Sequence, residues 1–420
     1  MGTITSNISR SLDGKTSFTI GNESYVWGSN GFIMSVETQA KTNAVQTAEF
    51  TLSGDSWTVA MLRFAFNTKA IIKDSTSGGT NRFVEFISLV NSGGSDIALN
   101  KTTVGIISGG SGADKITIGD VEVDTILSGG GKDTIKTGKG YISILDTERG
   151  NDTVDLGAGG AGYINLGRDS DRIILSPLTD KSDFVSINGG SGVSSKGDSN
   201  SDTVDFSRFK KGLSVDLATV DVVNTGNGTF LIRNFEHVSG GKGSDTLKGN
   251  GSANVLKGNA GNDTLDGKAG NDLLSGGTGN DRLLGGSGHD TLRGDSGSDK
   301  LYGGTGRDTL YGGSGKDTFV FNSTKDSTVA ASGRDTIKDF SRKAGDKIDL
   351  KAIDADTHAR GNQSFDFIGT KKFSKDAGEL RYQKKSGDTY VYGDVNGDGK
   401  ADFSILIDAR TDFVKGDFIL

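Results

Sequence analysis

The sequence contains no cysteine, one proline and three histidines in 420 residues. Without cysteine there can be no disulfide and no thiol nucleophile. The histidines form no H-E-x-x-H motif, which excludes a zinc protease site of that type, and no Gly-x-Ser-x-Gly elbow offers a serine nucleophile. No apolar run is long enough to cross a membrane. Met1–Arg10 has no apolar run either, so we expect no N-terminal signal peptide.

Positive charge and apolar residues are also scarce. The formal net charge is −7, and no basic stripe with interleaved aromatic residues occurs, so we expect no nucleic-acid partner. Hydrophobic residues make up 33% of the chain, whereas glycine alone accounts for 66 residues. This composition is typical of narrow apolar stacks between β-turns rather than of one large core.

Glycine is abundant because a nine-residue unit repeats without a gap from residue 240 to residue 320. Its template is G-G-x-G-x-D-x-U-x with U apolar, a pattern typical of calcium-binding β-helix repeats. The glycines permit turns with positive φ, and the last three residues form a short strand with one inward side chain. Such strands must coil and stack to bury an apolar face. The inward series is Leu247, Leu256, Leu265, Leu274, Leu283, Leu292, Leu301, Leu310 and Phe319.

Two units make one coil, so acidic residues 18 positions apart stack on one edge. One edge carries Asp245, Asp263, Asp281, Asp299 and Asp317, and the other carries Asn254, Asp272, Asp290 and Asp308. Stacked strands lie about 4.8 Å apart, so these like charges repel. A hard cation that takes six to eight oxygens removes the conflict, and the gaps between rungs predict up to about seven structural Ca²⁺ ions.

Residues 321–420 lack the repeat, and their short strands suggest a β-sandwich-like cap. The stretch DVNGDGKAD within them begins like a calcium loop, with Asp394, Asn396 and Asp398 as metal ligands. An EF-hand would need a glutamate where Ile405 stands, and strands rather than helices flank the loop. It is therefore either a hairpin that binds calcium or a polar turn without metal.

Residues 1–82 are non-repetitive strands and predict a β cap, although an exposed Trp27 or Trp57 could instead bind carbohydrate. Residues 83–239 show a looser period of 18–19 residues, which predicts that the solenoid continues upstream. The four predicted segments are therefore 1–82, 83–239, 240–320 and 321–420. Together they predict an all-β, right-handed parallel β-solenoid or β-roll with N-terminal and C-terminal β caps.

Two upstream turns, TERGND and LGRDSD, have lost glycines and gained acids and arginines. We predict Arg149, Arg168 and Asp169 as catalytic residues there, with Tyr141 and Tyr163 binding substrate. Aromatic rings stack on sugars, and an arginine beside an acid could remove a proton next to a uronate carboxyl. The alternative is a solvated turn edge whose ion pairs contribute little.

The array from 240 to 320 resembles the repeats-in-toxin family, and its motif implies that the aspartate at position six of each unit binds calcium. The tail is similar to the C-terminal domain of serralysin-type metalloproteases, through GRDTIKDFSRKAGDKIDL, FDFIGTKKFSKDAGELRY and YGDVNGDGKADFSILI, and it ends in an acidic and apolar DFIL. These resemblances imply export from a Gram-negative bacterium by a type I secretion apparatus. The protease's catalytic half is absent.

The plan of a short irregular β-helix ahead of such a tail is similar to that of rhizobial secreted exopolysaccharide glycanases, which are thought to be lyases. No catalytic motif matches residue by residue. The first functional hypothesis is therefore a secreted, calcium-binding monomer that cleaves an acidic extracellular polysaccharide. The alternative is a non-enzymatic calcium-binding adhesin or a protein that contacts a matrix or membrane.

Overall fold

The computed structural model describes residues 83–89, 94–180, 183–190 and 201–420 in full, and within residues 3–82 it describes the backbone of the strands. These residues form β-strands and two short 3-10 helices, Ala331–Gly333 and Lys415–Asp417. The all-β prediction is confirmed. In this part of the chain no helix has the length and apolar character to span a membrane. The chain divides into two compact units, which are described in turn.

Unit 1 comprises residues 1–206 and 220–235. Its strands are listed here in chain order together with β20, which belongs to unit 2. They are β1 (Thr3–Arg10), β2 (Thr16–Ile20), β3 (Glu23–Trp27), β4 (Ile33–Val36), β5 (Gln46–Leu52), β6 (Ser56–Phe64), β7 (Thr68–Asp74), β8 (Asn81–Leu89), β9 (Asp96–Leu99), β10 (Thr103–Ser108), β11 (Lys115–Ile118), β12 (Val123–Leu127), β13 (Thr134–Lys136), β14 (Ile142–Asp146), β15 (Thr153–Asp155), β16 (Ala161–Asn165), β17 (Arg172–Ile174), β18 (Phe184–Asn188), β19 (Thr203–Asp205), β20 (Ser214–Asp216), β21 (Asp221–Asn224) and β22 (Thr229–Arg233).

Two parallel sheets run through unit 1, and successive strands alternate between them. The first sheet pairs β4, β6, β8, β10, β12, β14, β16, β18 and β22 in that order. The second pairs β5, β7, β9, β11, β13, β15, β17 and β19. This alternation is the pattern of a parallel β-solenoid, as predicted. Strand β21 closes the first sheet in antiparallel pairing with β22.

The N-terminal strands join the same sheets. β1 pairs parallel with β5, whereas β1 with β2 and β2 with β3 pair antiparallel. Parallel pairing therefore already includes β1, inside the segment predicted as a cap. The side chains of Trp27 and Trp57 lie outside the described residues. The four predicted segment boundaries stay predictions.

The core of unit 1 is a set of apolar columns, since residues 19 positions apart pair across neighbouring strands. Ile116, Ile135, Val154 and Ile173 form one such column, and all four are fully buried. Their β-branched side chains suit a pleated surface, where they pack against the strand above and below. The outward positions between them are left to solvent.

Unit 2 comprises residues 207–219 and 236–420. Besides β20 it contains β23 (His237–Ser239), β24 (Thr246–Lys248), β25 (Val255–Ala260), β26 (Thr264–Asp266), β27 (Leu273–Thr278), β28 (Arg282–Gly288), β29 (Thr291–Ser296), β30 (Lys300–Gly306), β31 (Thr309–Tyr311), β32 (Thr318–Val320), β33 (Thr336–Ile337), β34 (Lys347–Asp349), β35 (Asp366–Gly369), β36 (Glu379–Lys385), β37 (Asp388–Asp394), β38 (Phe403–Ile407) and β39 (Phe418–Ile419).

The nonapeptides form a two-sheet parallel roll. One sheet pairs β20, β24, β26, β28, β30, β32, β34 and β39. The other pairs β23, β25, β27, β29, β31, β33 and β38. The inward residues predicted from the repeat, Leu247 through Phe319, are all fully buried.

The tail continues this roll, so the expectation of a sandwich-like cap is wrong. β33, β34, β38 and β39 extend the two parallel sheets, and β36, β37 and β38 add an antiparallel meander. The physical reason is the register. It places Ile337, Ile348, Ile407 and Phe418 in line with the leucine stack, where they are buried and cover its end.

Candidate functional site

The predicted acidic residues of unit 2 form two ladders of carboxylates, one rung per coil. In each rung one carboxylate oxygen accepts the backbone N–H of the residue one coil earlier. Asp263 accepts from Asp245 at 2.7 Å, and Asp281 accepts from Asp263 at 2.8 Å. The same bond recurs with N···O distances of 2.7–3.0 Å at Asp272, Asp290, Asp299, Asp308 and Asp317.

The second carboxylate oxygen of these rungs is buried and unpaired. Among the described residues no hydrogen-bond donor reaches Oδ2 of Asp263, Asp272, Asp281, Asp290, Asp299, Asp308 or Asp317. Each of these side chains is at most 3% exposed. A buried carboxylate oxygen without a donor is costly, so the ladders need a positive partner.

Burial raises the pKa of these carboxyls, and neighbouring carboxylates raise it further. The pKa is about 6 for Asp245, Asp272, Asp281 and Asp317, and about 7 for Asp299. Burial and the charge of its neighbours also raise the pKa of Asp308 above the ordinary range. The ladders therefore retain protons up to about pH 6 to 7 unless another cation takes their place.

The first glycine of each turn leaves free the Cβ position beside the unpaired carboxylate oxygen of its own rung. A Cβ added at Gly276 would lie 2.2 Å from Oδ2 of Asp281, and one added at Gly258 would lie 2.5 Å from the carbonyl oxygen of Gly276. That space is thus lined by a carboxylate oxygen and a backbone carbonyl oxygen. Within the described residues no cluster of three acidic or histidine side chains could hold a metal. The donor set of paired rungs plus turn carbonyls fits a hard cation such as Ca²⁺.

The turn backbone keeps its conformation even where glycine is missing at the second position. Gly277 and Gly286 have φ of 106° there, while Asn259, Lys268 and Asp295 have φ of 73°, 75° and 72°. A non-glycine residue pays for this left-handed conformation. The stacked coils therefore impose one conformation at the second position of the units from residue 258 onward.

Two ladder rungs beyond the repeat escaped the sequence prediction. Asp335 accepts the N–H of Asp308 at 2.8 Å, and Asp346 accepts the N–H of Asp317 at 3.1 Å. Burial and nearby carboxylates raise the pKa of both. The available signal was an aspartate two residues before an isoleucine, in Asp335-Thr336-Ile337 and Asp346-Lys347-Ile348, without the turn glycines.

The hairpin of Asp394, Asn396 and Asp398 differs from the ladders. Asp394 is fully buried, and its carboxylate accepts the N–H groups of Gly397 and Gly399 at 2.7 and 2.8 Å. Oδ1 of Asn396 and of Asp398 each accept a backbone N–H two residues on. No unpaired buried oxygen marks this hairpin, and its calcium site stays a prediction.

In unit 1 the predicted arginines come together. The turns that precede β15 and β17 stack through backbone bridges from Gly130 to Arg149 and from Arg149 to Arg168. A groove of about 290 Å³ lies over them. We call it the arginine groove, and it is lined by Asp146, Glu148, Arg149, Asn165, Gly167 and Arg168.

Charge in the arginine groove is only partly matched. Arg149 and Arg168 are exposed, and within the described residues neither guanidinium forms an ion pair. Asp146 accepts the N–H of Glu148 at 3.0 Å and both of its oxygens lie 3.2 Å from the Asn165 amide nitrogen. Two exposed guanidiniums on neighbouring coils, neither in an ion pair within the described residues, present a site for an anion.

Glu148 has an unusual backbone. Its φ is 62°, whereas the equivalent positions one coil before and after are glycines, Gly129 and Gly167, with φ of 93° and 87°. The Glu148 side chain is exposed and lines the groove. This turn therefore brings a carboxylate to the charged groove at a position where a left-handed conformation favours glycine.

The other predicted site residues lie beside the groove. Asp169 is not among the lining residues, and its Oδ2 accepts the N–H of Gly150 at 3.1 Å. Tyr141 is 43% exposed, with its hydroxyl over Gly162. Tyr163 lies on the outer face of β16 beneath the Arg233 guanidinium, 5.9 Å from the ring centroid.

An asparagine ladder next to the groove also escaped prediction. The side-chain amide of Asn234 donates to Asn188 at 2.8 Å, and that of Asn188 donates to Asn165 at 2.9 Å. Asn165 in turn donates to Asp146. Asn188 and Asn234 are 46 residues apart, so spacing gave no signal beyond the asparagine that ends β16 and β18.

Unit 2 is thus a β-roll in which acidic turns stack into ladders suited to cations. Residues 193–420, more than half of the chain, match the family model described as Peptidase M10 serralysin C terminal, and the chain belongs to this family. The predicted resemblance to repeats-in-toxin proteins with a serralysin-like C-terminal domain is confirmed.

Solved structures add two similarities, both to subunits of the Azotobacter vinelandii mannuronan C5-epimerase. The solution structure of AlgE6R3 is 28% identical, covers 36% of this chain and 77% of its own, and has a TM-score of 0.27. That of AlgE6R2 is 23% identical, covers 42% and 88%, and has a TM-score of 0.21. A comparison with curated protein sequences gave no significant match.

Proposed function

We propose that this chain is a secreted, calcium-dependent protein whose arginine groove binds and cleaves an acidic extracellular polysaccharide by elimination. The observation that carries the proposal is that Arg149 and Arg168, one coil apart, line one groove with exposed side chains that form no ion pair within the described residues. A uronate carboxylate supplies the missing negative charge in a planar form that guanidinium binds with two hydrogen bonds.

The groove also holds the group that an elimination needs. The arginines neutralise the uronate carboxylate and stabilise the charge that spreads onto it as the neighbouring C–H bond breaks. Glu148 takes that proton, the electron pair forms a carbon–carbon double bond, and the glycosidic C–O bond on the next carbon breaks. The leaving oxygen receives a proton from solvent, so no oxidant or cofactor is consumed.

The remaining groups orient the substrate. Asp146 is held in place by hydrogen bonds from Asn165 and from the Glu148 N–H, so it is positioned to accept hydrogen bonds from sugar hydroxyls. Tyr141 and Tyr163 offer ring faces for sugar stacking. Asp169 holds the turn through Gly150, which makes it a positioning residue in this proposal.

Calcium has a structural role in the proposal. The ladders of unit 2 would hold it through Asp263, Asp272, Asp281, Asp290, Asp299, Asp308 and Asp317, and bound Ca²⁺ would neutralise their buried charge. Export by a type I apparatus follows from the resemblance of the tail. Folding would then take place only in the calcium-rich exterior, since the carboxylates of each ladder repel one another without a cation.

Arg168→Ala tests the groove. Calcium-loaded protein is mixed with a panel of acidic polysaccharides, such as polygalacturonate, polymannuronate and hyaluronate, while viscosity and the ultraviolet absorbance of unsaturated uronate are followed. We expect the substitution to lower the rate of absorbance increase at least about a hundredfold, because it removes charge stabilisation in the transition state. Arg307→Ala, at an exposed turn position of unit 2, is the control and should match the wild type.

The wild-type result separates the possible functions. A fall in viscosity together with rising absorbance supports the lyase, whereas a fall in viscosity alone identifies a hydrolase. Retention on the polymer without cleavage would replace the proposal by the binding-protein alternative. Full turnover by the Arg168→Ala protein would remove Arg168 from the site.

A further inference from the structure

We infer that the polysaccharide lies along the stacking direction of unit 1, across its outer sheet face, and that Arg233 forms a remote subsite for a second uronate carboxylate. This inference rests on the proposed function and extends it from one cleavage point to a track. The track consists of two rows of side chains on strands β14, β16, β18 and β22. One row is apolar and the other is polar.

The apolar row consists of outward residues that neighbour one another by strand register, and all are apolar or aromatic except Ser186 on β18. Ile144 pairs with Tyr163, Tyr163 with Ser186, and Ser186 with Leu231. Ile144 is 43% exposed, and Val222, which pairs with Leu231, is 58% exposed. An exposed run of apolar and aromatic side chains on one sheet face marks a binding surface.

The polar row runs beside it and ends in a cation. Register places Asp146 next to Asn165, Asn165 next to Asn188, and Asn188 next to Arg233. The asparagine side chains are tied to one another by hydrogen bonds, which fixes their amide groups along the row. Sugar hydroxyls both donate and accept, so amide groups at each strand suit them.

The spacing of the two rows matches a polysaccharide laid across the strands. Neighbouring strands are about 4.8 Å apart, which is close to the length of one sugar residue in an extended chain. Strands β14, β16 and β22 therefore each present one apolar and one polar contact to one sugar, whereas β18 presents two polar ones, Ser186 and Asn188. A chain that begins at the arginine groove reaches Arg233 after crossing β18.

Charge complementarity selects an acidic occupant. Arg149 and Arg168 stand at one end of the track and Arg233 at the other. The Arg233 guanidinium is half-buried against the Tyr163 ring, which holds it in the track while leaving its N–H groups free of any ion pair within the described residues. A polymer with carboxylates on separate sugars satisfies both ends at once, and a neutral glycan does not.

Arg233→Ala tests the track through its dependence on chain length. The probes are oligouronates prepared from the polymer that the wild type cleaves, as dimers, tetramers and octamers. We expect KM to rise about tenfold for octamers, because the variant loses one charged contact with the substrate, and tenfold corresponds to about 1.4 kcal/mol. We expect kcat to stay unchanged and dimers to be unaffected. Arg233→Lys keeps the charge and should recover part of the lost affinity, while Arg307→Ala should change nothing.

The outcomes distinguish this inference from the function on which it rests. If the wild type neither binds nor cleaves any acidic polymer, the proposed function fails. If it cleaves them and Arg233→Ala affects octamers and dimers equally, the track is wrong while the groove stands. A circular dichroism spectrum and melting temperature matching the wild type show that the variant is folded. If the Arg233→Ala protein does not fold, Asn188→Ala replaces it in the test, and we expect the same dependence on oligouronate length.

Discussion

At the scale of single residues, the proposed chemistry of unit 1 depends on Glu148, which occupies a turn position whose positive φ favours glycine. The same turn position holds Gly129 one coil earlier and Gly167 one coil later, all three with positive φ. A left-handed conformation costs a non-glycine residue about 1–2 kcal/mol. The Glu148 side chain lines the groove together with Arg149 and Arg168.

Glu148→Gly should therefore stabilise the protein and inactivate it. We expect the free energy of unfolding to rise by up to about 1 kcal/mol, because relief of strain exceeds the added flexibility of the unfolded chain. Turnover of the polyuronate should fall to background, since the base is lost. Urea unfolding and the absorbance assay measure the two effects.

Two controls make this result specific. Glu148→Gln keeps the strain and loses the base, so it should be inactive without gaining stability. Lys268→Gly relieves the same strain in unit 2, where φ is 75°, and should gain stability with turnover unchanged. A Glu148→Gly protein that still cleaves at the wild-type rate would remove Glu148 from the chemistry.

At the scale of the turn and strand, the first glycine of each nonapeptide keeps open the space between two rungs. A Cβ at Gly276 would lie 2.2 Å from Oδ2 of Asp281. Gly251, at the third position of its unit, would meet no atom within 4 Å. The two glycines thus form a matched pair in the same array.

Gly276→Ala should reduce stabilisation by calcium, whereas Gly251→Ala should not. The added methyl group takes the place of the cation and displaces the Asp281 carboxylate, which we expect to cost about 1–3 kcal/mol in saturating calcium. Thermal unfolding with calcium and with chelator measures the difference. Equal calcium dependence in the two variants would show that cations do not occupy this space.

The repeat made much of the fold predictable at this scale. A strict nine-residue period with one apolar and one acidic position defines both the leucine stack and the two ladders. Because the units stack, equivalent positions of successive units lie above one another. Where the rule lapses, prediction failed. Asp335 and Asp346 lost their turn glycines, and the tail strands pair with segments up to 70 residues away, such as Thr336 with Leu406.

The arginine groove was predictable only in part, for a similar reason. Arg149 and Arg168 are 19 residues apart and stack by the period. Asn188 and Arg233 become neighbours across an insertion that no period describes. Asp169 stood in the right turn, but its carboxylate binds the Gly150 N–H instead of the groove, and only coordinates show the direction of a side chain.

At the scale of the whole molecule, the two units neutralise their buried carboxylates differently. Unit 1 has a ladder of its own, in which Asp152 accepts the N–H of Asp133 and Asp171 that of Asp152, both at 2.7 Å. Burial, followed by nearby carboxylates, raises the pKa to about 7 for Asp152 and to about 9 for Asp171. Five residues before Asp171 stands Leu166, fully buried, where unit 2 has glycine. With a pKa of about 9, the Asp171 carboxyl holds a proton at neutral pH, and we expect this rung to need no cation.

Stability should therefore depend on pH with a sign that calcium reverses in unit 2 alone. Without calcium, carboxyls with a pKa of about 6 to 7 bind more protons folded than unfolded, so the free energy of unfolding falls as pH rises through that range. With calcium, deprotonated rungs bind the cation, so stability instead falls below about pH 6.

Hydrogen exchange, measured over a range of pH in calcium and in chelator, reports the stability of each unit separately, because each peptide belongs to one unit. Peptides of unit 2 should lose protection above neutral pH in chelator and keep it in calcium. Peptides around Asp171 should lose protection progressively as pH rises from about 4 to about 9, in both conditions, because this carboxyl binds its proton more tightly in the folded than in the unfolded chain. Calcium-independent protection of the unit 2 peptides at pH 8 would mean that the ladders find another partner, and the structural role given to calcium would have to be abandoned.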